Sequence, residues 1–311
     1  MARNRGLWAA PAIVAALLAA QCGRGAAESQ EPSPDRRPAS SLAYRLEKPD
    51  DRFVLPPALT EISGLTNLSP TRVACVQDEE GAVYLFDLGR RAVVRKISFA
   101  APGDYEGISN VGESFFVLRS DGVLFEVKDA ASRVTTGVHP LALPTEDNEG
   151  LAFDAKHRRL LIAPKSRLSK GKEAKFDRAV FAFDLSSRSL LPDPVLEWSV
   201  ADVVAFAESR SLALPTSPRK QGDVRVALQL QPSALAVHPV TDEIFVLSAT
   251  DAVLISLNRR GTVTGYALLD RRLHRQPEGL TFTSSGDMLI ANEGAGASPL
   301  LLLFKWRPVK P

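Results

Sequence analysis

Four glutamates recur in one local context: Glu61 in Glu-Ile-Ser-Gly-Leu, Glu106 in Tyr-Glu-Gly-Ile, Glu149 in Asn-Glu-Gly-Leu and Glu278 in Pro-Glu-Gly-Leu. A fifth segment, Pro-Ser-Ala-Leu, puts Ser233 at the equivalent place. Aligned on these residues, the segments start 45, 43, 84 and 45 residues apart. Carboxylates brought together cannot all stay ionised unless protons or a cation compensate them. An all-oxygen ring of this size suits Ca²⁺ better than Mg²⁺, which demands tight octahedral geometry. Glu61, Glu106, Glu149 and Glu278 are therefore the candidate cation ligands. Capping of backbone N–H groups or pairing with arginine is the competing structural role.

A period near 44 residues must come from a repeated supersecondary unit. From Tyr44 to Trp306 the chain shows short β-rich runs, such as Arg72–Val76, Ala82–Leu88 and Ile244–Ser248, separated by Gly, Asp, Asn and Pro. Each Glu-Gly segment opens one strand, and three more follow before the next. This is the pattern of a four-stranded propeller blade. The last repeat stops at Trp306 after three strands, so an N-terminal strand, Ala43–Leu46, is expected to complete it and hide both edges. The 84-residue interval equals two periods. However, Asp202–Arg210 reads as a helix and Pro215–Gly222 as a polar loop, so five blades with an insertion at 201–232 are favoured over six. The fold class is all-β, a single propeller.

In that architecture the ends of the second strands converge near the channel. They carry Asp78-Glu79, Arg119, Lys165, Ser248 and Asn292-Glu293. Asp78, Arg119, Lys165 and Glu293 are the candidate ligand rim, although a solvated, salt-bridged edge would have the same composition. The basic stretch Lys165, Arg167, Lys170, Lys172 and Lys175 reads as a solvated hairpin tip.

Several function classes fall away on composition. The chain has Lys+Arg 38 against Asp+Glu 36. Without the first 21 residues, which hold Arg3 and Arg5, the balance is 36 against 36, which argues against a nucleic-acid partner. Two cysteines and four scattered histidines exclude a disulfide framework and argue against a thiolate or histidine metal centre. No G-x-S-x-G elbow is present, and Gly294-x-Gly296 does not open a helix after a nucleotide-type strand.

The N-terminus reads as an export signal. Arg3 and Arg5 precede an apolar run from Leu7 to Ala20, too short for a bilayer span of about 20 residues. Cys22 follows and is the candidate lipidation site of a bacterial lipoprotein, with ordinary cleavage near Ala27 as the alternative. The expected division is a signal peptide at 1–22, a Glu/Ser/Pro-rich tether at 23–42 and the propeller at 43–308. A location in the periplasm or cell envelope follows. Cys75, in Val73-Ala74-Cys75-Val76, reads as a buried small hydrophobe.

The stretches LTEISGLT, GDYEGISNVGESFFVLRSDGVLFEV, DNEGLAFD, QPSALAVHPVTDEIFVLSA and QPEGLTF, the last followed by DMLIANEG, together resemble the SdiA-regulated, YjiK-like family of exported bacterial β-propellers. The resemblance covers about residues 43–307. It implies a secreted or lipid-anchored propeller related to phytase-like proteins, with calcium binding or calcium-linked physiology and no agreed reaction. The sequence departs from the family at Gln21, before Cys22, and in the long hairpin Lys165–Arg178. The expected function is a monomeric, cation-stabilised propeller binding a small ligand or an envelope protein, with a lipid anchor as its only membrane contact. The alternative is a metal-dependent hydrolase, phytase-like or lactonase-like. In it Glu149, Asn148 and Glu278 would be ligands and Asp104 or Glu106 the base.

Overall fold

The computed structural model describes residues 38–130, 133–166, 168, 177–218 and 224–308. The signal segment, Cys22, the first part of the tether and Arg167, Lys170, Lys172 and Lys175 lie outside the described residues.

The second strand of each repeat is apolar on both faces, as a strand sandwiched between two neighbours must be. In blade 1, Cys75 faces the seam with blade 5, whereas Ala74 and Val76 face the seam with blade 2. The same alternation around the molecule gives five apolar seams, each shared by adjacent sheets. Cys75 is fully buried, and burial pushes its thiol up to about 12.

Five antiparallel sheets result. Blade 1 holds Ile62–Ser69, Arg72–Gln77, Ala82–Asp87 and Ala92–Ser98. Blade 2 begins with Tyr105–Val111, blade 3 with Asn148–Asp154, blade 4 with Ala234–Val237 and blade 5 with Pro277–Phe282. These five inner strands contact one another in a closed cycle. The protein is a five-bladed β-propeller.

The long interval falls in blade 3. The third strand of blade 3, Asp177–Asp184, is met by two short outer pieces, Ser189–Leu190 and Leu196–Ser199. The helix Val200–Ser209 follows, opened by a capping box between Ser199 and Asp202. Val200, Val203 and Ala207 enter the seam between blades 3 and 4. A small hairpin, Thr216–Pro218 with Val224–Val226, completes the insertion.

Blade 5 is closed by an N-terminal strand, but not by Ala43–Leu46. Asp51–Val54 pairs with the last strand, Leu300–Phe304. Tyr44 and Leu46 alternate as a strand would, yet both are buried in the seam between blades 4 and 5. The Tyr44 hydroxyl donates to the Gly286 carbonyl at 2.7 Å and lies 3.0 Å from His238 Nε2, fixing the segment as a plug. Residues 38–42, assigned to the tether from composition, also lie against the propeller. The N–H of Leu268 donates to Ala39 O, that of Ser41 to Tyr266 O, and that of Ala213 to Pro38 O. The first two bonds use the outer edge of blade 4 and the third the loop after the helix, which is why the segment is ordered.

Candidate functional site at the channel mouth

Each inner strand except that of blade 4 begins with a β-bulge. One residue has no partner on the second strand: Ser63 in blade 1, Glu106 in blade 2, Glu149 in blade 3 and Glu278 in blade 5. A bulge re-aims the extra residue out of the pleat, and here all four, with Ser233 of blade 4, line a cavity of about 10 Å³. That is about the space needed for one water. The ring is thus three glutamates and two serines. Glu61 is not a member, contrary to the sequence alignment. It precedes the inner strand and is exposed, and Ser63 takes its place because the repeats superpose on their glycines.

The glycine after each bulge residue explains the rest of the motif. A Cβ on Gly107 would lie 2.6 Å from Leu151 Cβ, and one on Gly150 would lie 2.8 Å from Leu235 Cγ. Glycine lets the inner strands of blades 2, 3 and 5 approach the aliphatic residue of the next blade, and that of blade 1 the next blade's backbone. Leu65, Ile108, Leu151, Leu235 and Leu280 then close the channel below the cavity. In each Glu-Gly-Leu segment the bulge aims the carboxyl, the glycine permits close approach and the leucine seals.

The electrostatics of the mouth are those of crowded, poorly solvated acids. Burial, then Glu149 and Asp104, pushes Glu106 up to about 9. Burial, then the charge of Glu278, pushes Glu149 up to about 8. Burial pushes Glu278 up to about 7, against the opposing pull of Lys165 and of hydrogen bonds from Ser233 and Gln276. On the rim, burial with Glu278, Asp78 and Glu61 raises Glu293 to about 8, and burial with Glu61, Glu79 and Asp104 raises Asp78 to about 6.

Lys165 is the cation that opposes the shifts of the four glutamates. Its ammonium donates to Glu149 Oε1, while the other carboxylate oxygen, Oε2, is buried with no hydrogen-bond partner. Burial works against the ammonium, but Glu149 and Glu278 more than offset it and hold its pKa above the ordinary lysine range. Arg119, the other rim cation, is committed elsewhere. It makes a bidentate pair with Asp121 at 2.8 and 2.9 Å and lies over the Phe125 ring. Asn148 is not a free ligand either. Its amide donates to Ser120 O and Thr145 O at 2.9 Å and accepts from Thr145 Oγ1, holding the loop before blade 3. Asp104 accepts from Ser120 Oγ at 2.6 Å. Ser248 is likewise tied to Asp251, at 2.8 Å.

The ring offers hard oxygen donors of the type Ca²⁺ prefers. Among the described residues, however, no group of three or more His, Cys, Asp or Glu side chains is placed to hold a metal ion. The arrangement is an acid cluster whose carboxyls are raised toward and above neutral pH, with the Lys165 ammonium seated on Glu149.

Fold and mouth together define a five-bladed propeller with an acidic, blind channel. Among solved structures the chain resembles glutaminyl cyclase of Myxococcus xanthus, with a TM-score of 0.56 and 13% identity over 85% of this chain and 97% of that one. Streptogramin B lyase is more distant, with a TM-score of 0.45 and 11% identity over 82% of this chain and 97% of that one. Identities this low show the propeller fold alone. The chain matches no family model and no curated protein.

Proposed function

We propose that this chain is an exported propeller whose channel mouth binds a small ligand through a positively charged group. The observation that carries the reading is the seating of the Lys165 ammonium on Glu149, among carboxyls raised to between about 7 and about 9. A second positive charge arriving there displaces protons from these groups, so its binding strengthens as pH rises. Calcium is a second reading, favoured by the unpaired Glu149 Oε2 beside a cavity of one-water size. The hydrolase alternative is weakened by the loss of Asn148 as a ligand, although Glu106 keeps a base-like position beside Asp104. Export, attachment through Cys22 and membership of the SdiA-regulated family belong to the same proposal. Their support is the charged, apolar, then polar N-terminus and the five ordered motifs.

The test is calorimetry of the purified chain with ethylamine and, separately, with CaCl₂, at pH 6 and pH 9. Binding with proton release, at least about tenfold tighter at pH 9, is expected for one of the two probes. Ethylamine alone supports the ammonium reading, and CaCl₂ alone supports calcium. Absence of binding by both, or binding indifferent to pH and to Glu149→Gln, overturns the site.

A further inference from the structure

The far end of the channel holds a second cavity, of about 220 Å³, on the other side of the aliphatic closure. It is formed by the later halves of the inner strands, and none of its lining residues is charged. The contrast with the acidic mouth is complete. A charged ligand would find no counter-charge there, and burying one unpaired is costly.

The lining is divided. Blades 5, 1 and 2 contribute Thr281, Thr66, Asn67 and Asn110, whereas blades 3 and 4 contribute Phe153 and Val237. On the polar side, the backbone N–H of Asn67 donates to Thr281 Oγ1 at 3.1 Å, and that of Asn110 to Thr66 Oγ1 at 3.2 Å. Both hydroxyls are thereby held as acceptors with their own protons left to donate. Asn67 Oδ1 is buried with no hydrogen-bond partner. A buried acceptor left unmade is destabilising, and rotation of the Asn67 amide toward the cavity would let a ligand donor remove that cost.

We infer that this cavity is a binding site for a neutral, hydroxyl-bearing ligand of monosaccharide size. The Asn67 and Asn110 amides and the Thr66 and Thr281 hydroxyls would face its hydroxyl edge. Phe153 and Val237 would face its C–H surface. Sugar hydroxyls both donate and accept, matching amides and hydroxyls that do the same, and they need no charge.

Saturation-transfer NMR of the whole chain with glucose, galactose, N-acetylglucosamine and mannose tests the assignment. At least one sugar should show transfer. Its affinity should be unchanged between low and high salt and weakened at least about tenfold by Asn67→Ala and by Asn110→Ala. Asn67→Ala should melt at the wild-type temperature or above, since its Oδ1 has no bond to lose, so a weakened signal cannot be ascribed to unfolding. No transfer from any of the four sugars, or transfer that survives both substitutions, overturns the inference.

Discussion

Replacing Glu278 with glutamine should stabilise this protein at alkaline pH. In the folded chain the Glu278 carboxyl is raised from 4.5 to about 7, chiefly by burial. A carboxyl with a raised folded pKa binds its proton more tightly folded than unfolded, so it costs stability as pH climbs from 4.5 to about 7. At 1.36 kcal/mol per pH unit, the full displacement is worth about 3 kcal/mol above pH 7. Glutamine keeps the volume and abolishes the titration. It also removes a charge that raises both Glu149 and Glu293, so these two ionise more easily. Against this stands the burial of a new amide, which reduces the expected gain to about 1–3 kcal/mol at pH 8. At pH 4 the carboxyl is protonated in the folded chain and largely so in the unfolded one, so the gain should vanish. Urea unfolding of wild type and Glu278→Gln at both pH values, in chelator and low salt, measures the difference. Destabilisation at pH 8, or an equal change at both pH values, would refute the account of the mouth as a cluster of strained acids.

Lys165→Met removes the charge that lowers Glu106, Glu149, Glu278 and Glu293, so stability should fall more steeply than in wild type between pH 6 and pH 9. A loss that is the same at every pH would contradict its role as counter-charge. Gly107→Ala places a Cβ 2.6 Å from Leu151 Cβ and 2.9 Å from the Glu149 carbonyl, and should cost about 2 kcal/mol or more in denaturant unfolding. Tyr44→Phe deletes the hydroxyl that joins Gly286 O and His238, and should cost about 1–3 kcal/mol. An unchanged unfolding curve would show that the N-terminal plug contributes nothing. Cys22→Ala should move the chain from the membrane fraction to the soluble periplasm, whereas mature wild type found in the cytoplasm would overturn export.

The blade count was legible because the 44-residue period survives in the Glu-Gly segments, and because Asp202–Arg210 has too helical a pattern to supply missing strands. The structure places that helix at Val200–Ser209. The ring was legible only in part. Glu61 and Ser63 stand two residues apart in one motif, and a bulge decides which of them faces the channel. Sequence periodicity does not show a bulge, but superposing the repeats on Gly64, Gly107, Gly150 and Gly279 would have selected Ser63. Lys165 was expected on the rim with Arg119, and their different duties could not be read from spacing. Asp121, two residues beyond Arg119, captures one cation, while the other reaches Glu149 from across a strand pair. Ala43–Leu46 is the expected closing strand because it precedes the first repeat and the last repeat ends one strand short, and Tyr44 and Leu46 are indeed buried. Asp51–Val54 hides its strand character behind two charges and buries only Phe53. Alternation reports which side chains are buried, not whether the backbone beside them is paired.

The aliphatic ring of Leu65, Ile108, Leu151, Leu235 and Leu280 turns what would be a conduit into two back-to-back cups. A ligand bound in the acidic cup would have to leave by the way it came, and the protons exchanged for it would pass the same rim. The dwell time of such a ligand would therefore be set at one rim alone. A larger molecule resting across that rim would trap the occupant without touching it. The opposite cup would fill and drain through its own rim, on its own schedule.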